Sequence, residues 1–106
     1  MSIKGVDFKK GNGFIPAVIQ DGKSKEVYMV GYMNEDALAE TQRTRYVCFW
    51  SRSRNTLWMK GETSGNRLKV EKIMKDCDSD ALLIFVTLEG TCVCHSGSMS
   101  CFNYKL

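Results

Sequence analysis

The stretch "RLKVEKIMKDCDSDALLIFVTLEG", residues 67–90, contains two apolar runs joined by a short acidic segment. The runs "RLKVEKIM" and "ALLIFVTLE" are rich in β-branched and apolar residues, which predicts two strands. The longest apolar run, Ala81 to Leu88, is too short to cross a membrane and suits a buried strand. The pattern predicts a domain built around a β-sheet.

Four more strands are predicted on the N-terminal side of this stretch. "FIPAVIQD" and "EVYMVGYM" form one hairpin around a turn at residues 21–22, and "YVCFWSRS" and "TLWMKG" form a second around residues 54–55. Asn34 is a good helix N-cap, which predicts a helix over residues 35–44 with Ala37, Leu38 and Thr41 facing inward. The tail "VCHSGSMSCFNY" is expected to be extended and looped. The predicted fold is α+β and predominantly β, a small mixed or antiparallel curved sheet with one short helix.

Composition limits the possible classes of protein. The length predicts one domain over residues 1–106, and the start lacks the apolar centre of a secretory signal, so cytoplasmic residence is expected. Five cysteines, an odd number, in a reducing compartment favour metal binding or catalysis over a disulfide framework. A net charge of +3 suits a phosphate-bearing ligand and is too small for a protein that grips a nucleic-acid backbone.

Three aspartates, Asp76, Asp78 and Asp80, alternate in the acidic segment. On an extended strand they would share one face, where three carboxylates repel one another unless a cation compensates them. Carboxylate oxygens suit magnesium or calcium. The alternative is a solvated acidic turn between two strands, which the acids alone favour.

Three cysteines are candidate zinc ligands. Cys94 and Cys101, with Cys77 brought in from the preceding strand, would offer three thiolates. Catalytic zinc sites hold the metal with three protein ligands and leave a place for water, whereas structural sites are closed by four.

His95, the only histidine, could be the fourth ligand, but adjacent side chains on an extended segment diverge. We therefore expect it near the metal, unbound and able to move protons, as histidine side chains generally ionise near neutral pH. The alternative is a hydrogen-bonded structural histidine. Cys48 and Cys92 are interpreted as packing residues, although Cys92 could compete for the metal.

The stretch "FWSRSRNTLWMKGETSGN", residues 49–66, combines arginines, hydroxyl groups, tryptophans and a glycine-bounded polar loop. Arginine forks match phosphate oxygens, and such a loop can present backbone amides to an anion. An exposed charged hairpin followed by a polar turn explains the stretch equally well. The candidate substrate-binding residues are Arg52, Arg54, Trp58, Lys60, Glu62, Thr63, Ser64, Gly65 and Asn66.

Four blocks in this order resemble the phosphoribosyl-AMP cyclohydrolase family. They are "YMNEDAL" at 32–38, "SRSRNTLWMKGETSGN" at 51–66, "DCDSDAL" at 76–82 and "CHSGSMSCF" at 94–102. The chain departs from the family pattern at Ser96, where the family has threonine, and at Met99, where it has arginine. The first change keeps the hydroxyl group, and the second loses a positive charge. Many members are fused to a pyrophosphohydrolase domain, which we do not expect here.

The resemblance implies an enzyme of histidine biosynthesis that opens the purine ring of 1-(5-phosphoribosyl)-AMP. It implies attack by zinc-bound hydroxide assisted by His95, in a homodimer whose zinc sites draw cysteines from both subunits. The implied ligands are Cys77, Cys94 and Cys101 for zinc and Asp76, Asp78 and Asp80 for magnesium.

Two other functions fit parts of the sequence. The first is a non-catalytic structural zinc-binding module, closed by the same cysteines with His95 or Cys92 as fourth ligand. It would not need the aspartates or the polar loop. The second is a single-stranded nucleic-acid binder using Trp50, Trp58 and the arginines, which the small net charge disfavours.

Overall fold

Six strands and one helix make up the part of the chain that this computed structural model describes, residues 5–106. The predicted domain begins at residue 1, so its first four residues lie outside this range. The elements are β1 (Ile15–Asp21), β2 (Val27–Met33), α1 (Glu35–Thr44), β3 (Cys48–Ser51), β4 (Thr56–Met59), β5 (Arg67–Lys75) and β6 (Leu82–Glu89). The fold is α+β and predominantly β, as predicted.

The main sheet has four strands in the order β2-β1-β6-β5. The two outer pairs are antiparallel, whereas β1 and β6 run parallel in the middle, so the sheet is mixed. The strands β3 and β4 form a separate antiparallel hairpin. The edge strands of the sheet are therefore β2 and β5.

The core lies on one face of the sheet because alternate side chains of a strand point to the same side. Ile15, Ala17 and Ile19 of β1 are buried there, as are Leu82, Ile84 and Val86 of β6. The helix α1 and the β3-β4 hairpin contact β2 and close this face. Gly31 of β2 makes room for the Phe49 ring, which is buried and pairs with Trp58 at a centroid distance of 5.3 Å.

The opposite face of the sheet, which we call the outer face, carries an apolar row across all four strands. Val18 pairs with Val30 on one side and with Leu83 on the other, and Leu83 pairs with Met74. Val30 and Met74 are exposed by about two fifths, and the other two are half-buried. None of the described elements covers this row. It therefore offers apolar surface to another molecule.

The helix bounds match the prediction because both helix ends are set locally. The Asn34 side-chain oxygen accepts a hydrogen bond from the Ala37 N–H at 2.9 Å, as an N-cap should. Arg45 adopts a left-handed conformation and its N–H donates to the Thr41 carbonyl, which ends the helix. Ala37, Leu38 and Thr41 are buried, as expected.

The second hairpin is shorter than its sequence pattern indicates. β3 ends at Ser51, and a turn with Asn55 at a φ of 55° leads into β4. Arg52 and Arg54 therefore lie in the turn and do not continue the strand alternation. Within residues 5–106, no helix has the length and apolar character needed to span a membrane.

The strand β2 contains a bulge, at which the C-terminal segment is attached. Ile19 pairs with Met29 but Gln20 pairs with Val27, which leaves Tyr28 outside the ladder between them. The Tyr28 carbonyl accepts a hydrogen bond from the Cys101 N–H at 2.8 Å, and the Val27 carbonyl accepts one from the Ser100 hydroxyl at 2.6 Å. The C-terminal segment is thus fixed to the edge of the sheet at the bulge.

Candidate functional site

The three aspartates lie in the turn between β5 and β6, which we call the acid turn, residues 76–81. Asp76, Asp78 and Asp80 each offer one oxygen within 4.8 Å of the others. The prediction that they group together is confirmed, but the extended strand assumed for it is wrong. The Asp76 carboxylate accepts hydrogen bonds from the N–H groups of Asp80 and Ala81, and Ser79 has a φ of 64°, so the chain folds back tightly.

A lysine that the sequence analysis missed lies against this turn. The Lys10 ammonium is 3.3 Å from an Asp78 oxygen and 3.7 Å from an Asp80 oxygen. The pKa of Asp78 is lowered, first by a hydrogen bond from Asp80 and then by the contact with Lys10. The pKa of Asp80 is raised, mainly by the same hydrogen bond to Asp78. The turn is held by the N-terminal segment, where the Asp7 N–H donates to the Ser79 carbonyl at 2.7 Å.

Two of the predicted zinc ligands, Cys94 and Cys101, lie together at the bulge and form what we call the thiol pair. Each thiol lies close enough to shift the pKa of the other, and the Ser96 hydroxyl donates to the Cys94 sulfur at 3.1 Å. The Ser96 hydrogen bonds, followed by those from Cys101 and the Lys60 charge, lower the pKa of Cys94. Burial, and then the neighbouring Cys94, raises the pKa of Cys101. Cys94 is therefore the thiol that ionises first.

His95 is exposed beside this pair. Its Nδ1 lies 4.0 Å from the Cys94 sulfur, so the ring is beside the thiol pair and open to solvent. Lys60 is close enough for its charge to lower the pKa of Cys94. Met99, where the family has arginine, is exposed in the same loop. Lys60 thus supplies a positive charge close to the thiols.

The third predicted ligand, Cys77, is exposed on the acid turn and does not reach the thiol pair. The pair is fixed at the β2 edge near the level of Gln20, whereas the acid turn connects β5 to β6 beyond the level of Ala17. With about 4.8 Å between strands and about 3.3 Å per residue along them, the two places are about 15 Å or more apart. Among residues 5–106, the aspartates are the only three candidate ligands that the fold brings together.

The predicted substrate-binding residues divide among three places. Arg54, Trp58 and Glu62 line a cavity of about 420 Å³ on one side of the hairpin. Arg52 and Trp58 line a second cavity of about 610 Å³ against β2, where the Arg52 guanidinium stacks 4.0 Å from the centre of the Tyr32 ring. Lys60 lines neither cavity and lies close enough to Cys94 for its charge to lower the pKa of that thiol.

The polar loop after β4 connects these cavities to the segment that follows β6. Asn66 accepts a hydrogen bond from the Thr91 N–H at 3.0 Å and donates to the Cys92 sulfur at 3.5 Å, so its side chain joins the two loops. Gly61 has a φ of 82°, and a Cβ there would lie 2.1 Å from the Asn66 carbonyl oxygen. Thr63, Ser64 and Gly65 are exposed at the tip. Asn66 therefore positions the loop, and the tip is open to a ligand.

The two remaining cysteines differ. Cys48 is buried in β3, where burial raises the pKa of its thiol, which confirms it as a packing residue. Cys92 is only half-buried and lies in irregular chain after β6, so it packs less completely than expected.

We expect replacement of Ser96 by alanine to raise the pKa of Cys94, because the 3.1 Å hydrogen bond favours the thiolate over the thiol. The thiolate of the metal-free protein would then appear at higher pH, as measured by absorbance near 240 nm. Ser98→Ala is the matched control, since the Ser98 hydroxyl contacts the Ser96 hydroxyl and neither thiol. Identical titration curves for both variants would contradict this prediction.

Comparison with known proteins gives a consistent result. Residues 29–103 match the family described as phosphoribosyl-AMP cyclohydrolase. The chain is 52% identical over 101 residues to the phosphoribosyl-AMP cyclohydrolase of Solibacter usitatus, covering 95% of this chain and 80% of that protein. It is 53% identical over 104 residues to the protein of that name from Clostridium botulinum, covering 98% and 94%.

A third relative is longer. The histidine biosynthesis bifunctional protein HisIE of Buchnera aphidicola is 56% identical over 97 residues, which cover 92% of this chain and 45% of that protein. The chain thus spans about half of this bifunctional relative and most of the two monofunctional ones. With most of its length matched by the family and by relatives of similar size, this chain belongs to the phosphoribosyl-AMP cyclohydrolase family.

Proposed function

We propose that this protein opens the purine ring of 1-(5-phosphoribosyl)-AMP in histidine biosynthesis, as a zinc- and magnesium-dependent homodimer in the cytoplasm. Family membership supports the reaction and its pathway. The observation that carries the rest is the thiol pair: Cys94 and Cys101 lie together beside His95, while Cys77 is exposed at the far end of the sheet. The pair is half of a site that a second chain would complete.

The thiol pair fits zinc, because thiolates are soft donors and the lowered pKa of Cys94 favours the form that binds metal. The two cysteines of one chain with Cys77 of the other would hold the ion by three ligands. When bound, zinc supplies activated water, since it lowers the pKa of a bound water molecule to about 7. His95 would accept a proton from the attacking water and deliver it to the departing ring nitrogen, a role supported by its 4.0 Å distance from the Cys94 sulfur.

A two-fold symmetric dimer suits the positions of the two half-sites. In such a dimer a contact between the acid turn of one chain and the thiol pair of the other occurs twice, so two equivalent sites form. The apolar row of the outer face, formed by Val18, Val30, Leu83 and Met74, provides surface that a second chain would bury. The same contact would carry the aspartates to the thiol pair together with Cys77.

The acid turn fits magnesium. Ligand oxygens on opposite sides of a magnesium ion are about 4 Å apart, close to the 4.8 Å within which the three carboxylates lie. An ion there would hold a substrate phosphate and leave room for water. Arg52 and Arg54, one in each hairpin cavity, are candidates for the phosphate oxygens, and Trp58 presents its ring to a base.

The decisive experiment incubates the protein with 1-(5-phosphoribosyl)-AMP, zinc and magnesium and follows ring opening by ultraviolet absorbance. We expect turnover that a chelator abolishes. His95→Ala should lower turnover by about 10²- to 10⁴-fold with the zinc content unchanged, because it removes proton transfer and no ligand. Cys101→Ala should lose both zinc and turnover.

Cys92→Ala is the matched control, since it removes a thiol from the same segment without removing a proposed ligand. It should keep its zinc and most of its turnover. Bound zinc with no turnover in the wild-type protein would instead favour the structural zinc module. Unchanged rates in both His95→Ala and Cys101→Ala would eliminate the mechanism proposed here.

A further inference from the structure

A lysine from the N-terminal segment offsets part of the negative charge of the acid turn. The Lys10 ammonium lies between Asp78 and Asp80, at 3.3 and 3.7 Å from their oxygens. Nothing else in the described residues forms an ion pair with these aspartates. The three carboxylates therefore stay close together while Lys10 supplies a positive charge.

The backbone around Lys10 fixes this lysine beside the turn. Phe8 is buried in the core, and the Asp7 N–H donates to the Ser79 carbonyl of the acid turn itself. A tight turn follows, in which the Asn12 N–H donates to the Lys9 carbonyl and the Gly13 N–H to the Phe8 carbonyl. The Lys10 side chain is half-exposed, at 49%, so it can leave the carboxylates without disturbing the core.

A magnesium ion and the Lys10 ammonium would compete for the same carboxylate oxygens. An ion bound at about 2.1 Å from the same Asp78 oxygen would lie no more than about 5.5 Å from the ammonium nitrogen. Two positive charges that close repel each other, and both would draw on the same oxygens. Movement of Lys10 toward solvent would therefore favour binding of the divalent cation.

We propose that Lys10 is a tethered counter-ion of the acid turn that competes with the divalent cation for Asp78 and Asp80. The inference rests on the proposed magnesium site. Lys10 stabilises the carboxylate cluster when no ion is bound and lowers its affinity for one. When an ion displaces Lys10, the released ammonium stays within a side chain's length of any phosphate that the ion holds.

The test measures the affinity of the zinc-loaded full-length protein for Mn²⁺, a hard cation that suits carboxylates, by electron paramagnetic resonance of the free ion. Lys10→Met should bind Mn²⁺ about two- to fivefold more tightly than Lys9→Met, the range expected for loss of an exposed ion pair. Lys9→Met removes the same charge one residue away, and Lys9 forms no ion pair among the described residues. Lys10→Arg keeps the cation and should bind Mn²⁺ as the wild type does.

Equal affinities for Lys10→Met and Lys9→Met would overturn the counter-ion role and leave the magnesium site standing. Weaker binding by Lys10→Met would overturn it as well, because Lys10 would then assist the ion. A wild-type protein that binds no Mn²⁺, or an Asp78→Asn variant that binds it equally well, would remove the magnesium site and the counter-ion together. No turnover is measured, so a failure here is separate from a failure of the ring-opening reaction.

Discussion

A refolded equimolar mixture of Cys77→Ala and Cys101→Ala proteins is expected to recover about a quarter of the wild-type turnover, although each variant alone is inactive. Random assortment makes about half of the dimers mixed, and each mixed dimer has one complete site of two. That site takes Cys94 and Cys101 from one chain and Cys77 from the other. The expectation follows from the distance of about 15 Å or more between the acid turn and the thiol pair.

The matched control mixes Cys94→Ala with Cys101→Ala. Both changes lie in the thiol pair, so no assortment of these chains makes a complete site and the mixture should stay inactive. Zinc content provides a second measurement and should follow turnover in both mixtures. If the first mixture also stayed inactive while its chains exchanged normally, the site would be built within one chain, and the proposed dimer arrangement would be wrong.

The second large effect is expected in the core, where Phe49→Ala should lower the free energy of unfolding by about 3–5 kcal/mol. The ring is 1% exposed and lies against Gly31, where an added Cβ would be 2.4 Å from a ring carbon. Gly31→Ala should therefore cost about 1–3 kcal/mol through overpacking. Both are measured by urea unfolding at one protein concentration, because the stability of the proposed dimer would depend on concentration.

A variant that carries both Phe49→Ala and Gly31→Ala tests whether the cost of Gly31→Ala comes from its contact with the Phe49 ring. Once Phe49 is alanine, the ring that blocks the new methyl group is gone, so Gly31→Ala should cost little in that background. Gly22→Ala is the control, since a Cβ at that glycine would meet its nearest neighbour at an ordinary 3.6 Å. A cost for Gly31→Ala that is the same with and without the ring would show that β2 requires glycine for another reason.

Local signals in the sequence predict much of the fold. The helix runs over residues 35–44 as expected because its start is set by a local hydrogen bond, from the Ala37 N–H to the side chain of the N-cap Asn34. The strands β1 and β6 lie where buried apolar residues alternate in the sequence, because only one face of the sheet packs against the core. These features depend on neighbours in sequence, so a single chain suffices to predict them.

Features that depend on strand order are not predictable in this way. The parallel pairing of β1 with β6 separates Cys77 from the thiol pair, and nothing local in either segment encodes that separation. The contact of Lys10 with Asp78 has the same origin, since it joins residues 68 positions apart in the sequence. The aspartates illustrate an intermediate case: their grouping is local, but it arises from the hydrogen bonds that Asp76 makes within a turn.

The attachment of the C-terminal segment at the β2 bulge also protects the protein from aggregation. β2 is an edge strand, and an uncovered edge strand is a template for pairing with other chains. Ser100 and Cys101 occupy the carbonyls of Val27 and Tyr28 on this strand, and the bulge itself interrupts the regular ladder. The residues that hold the proposed zinc ligand Cys101 in place therefore also hinder extension of the sheet into neighbouring molecules.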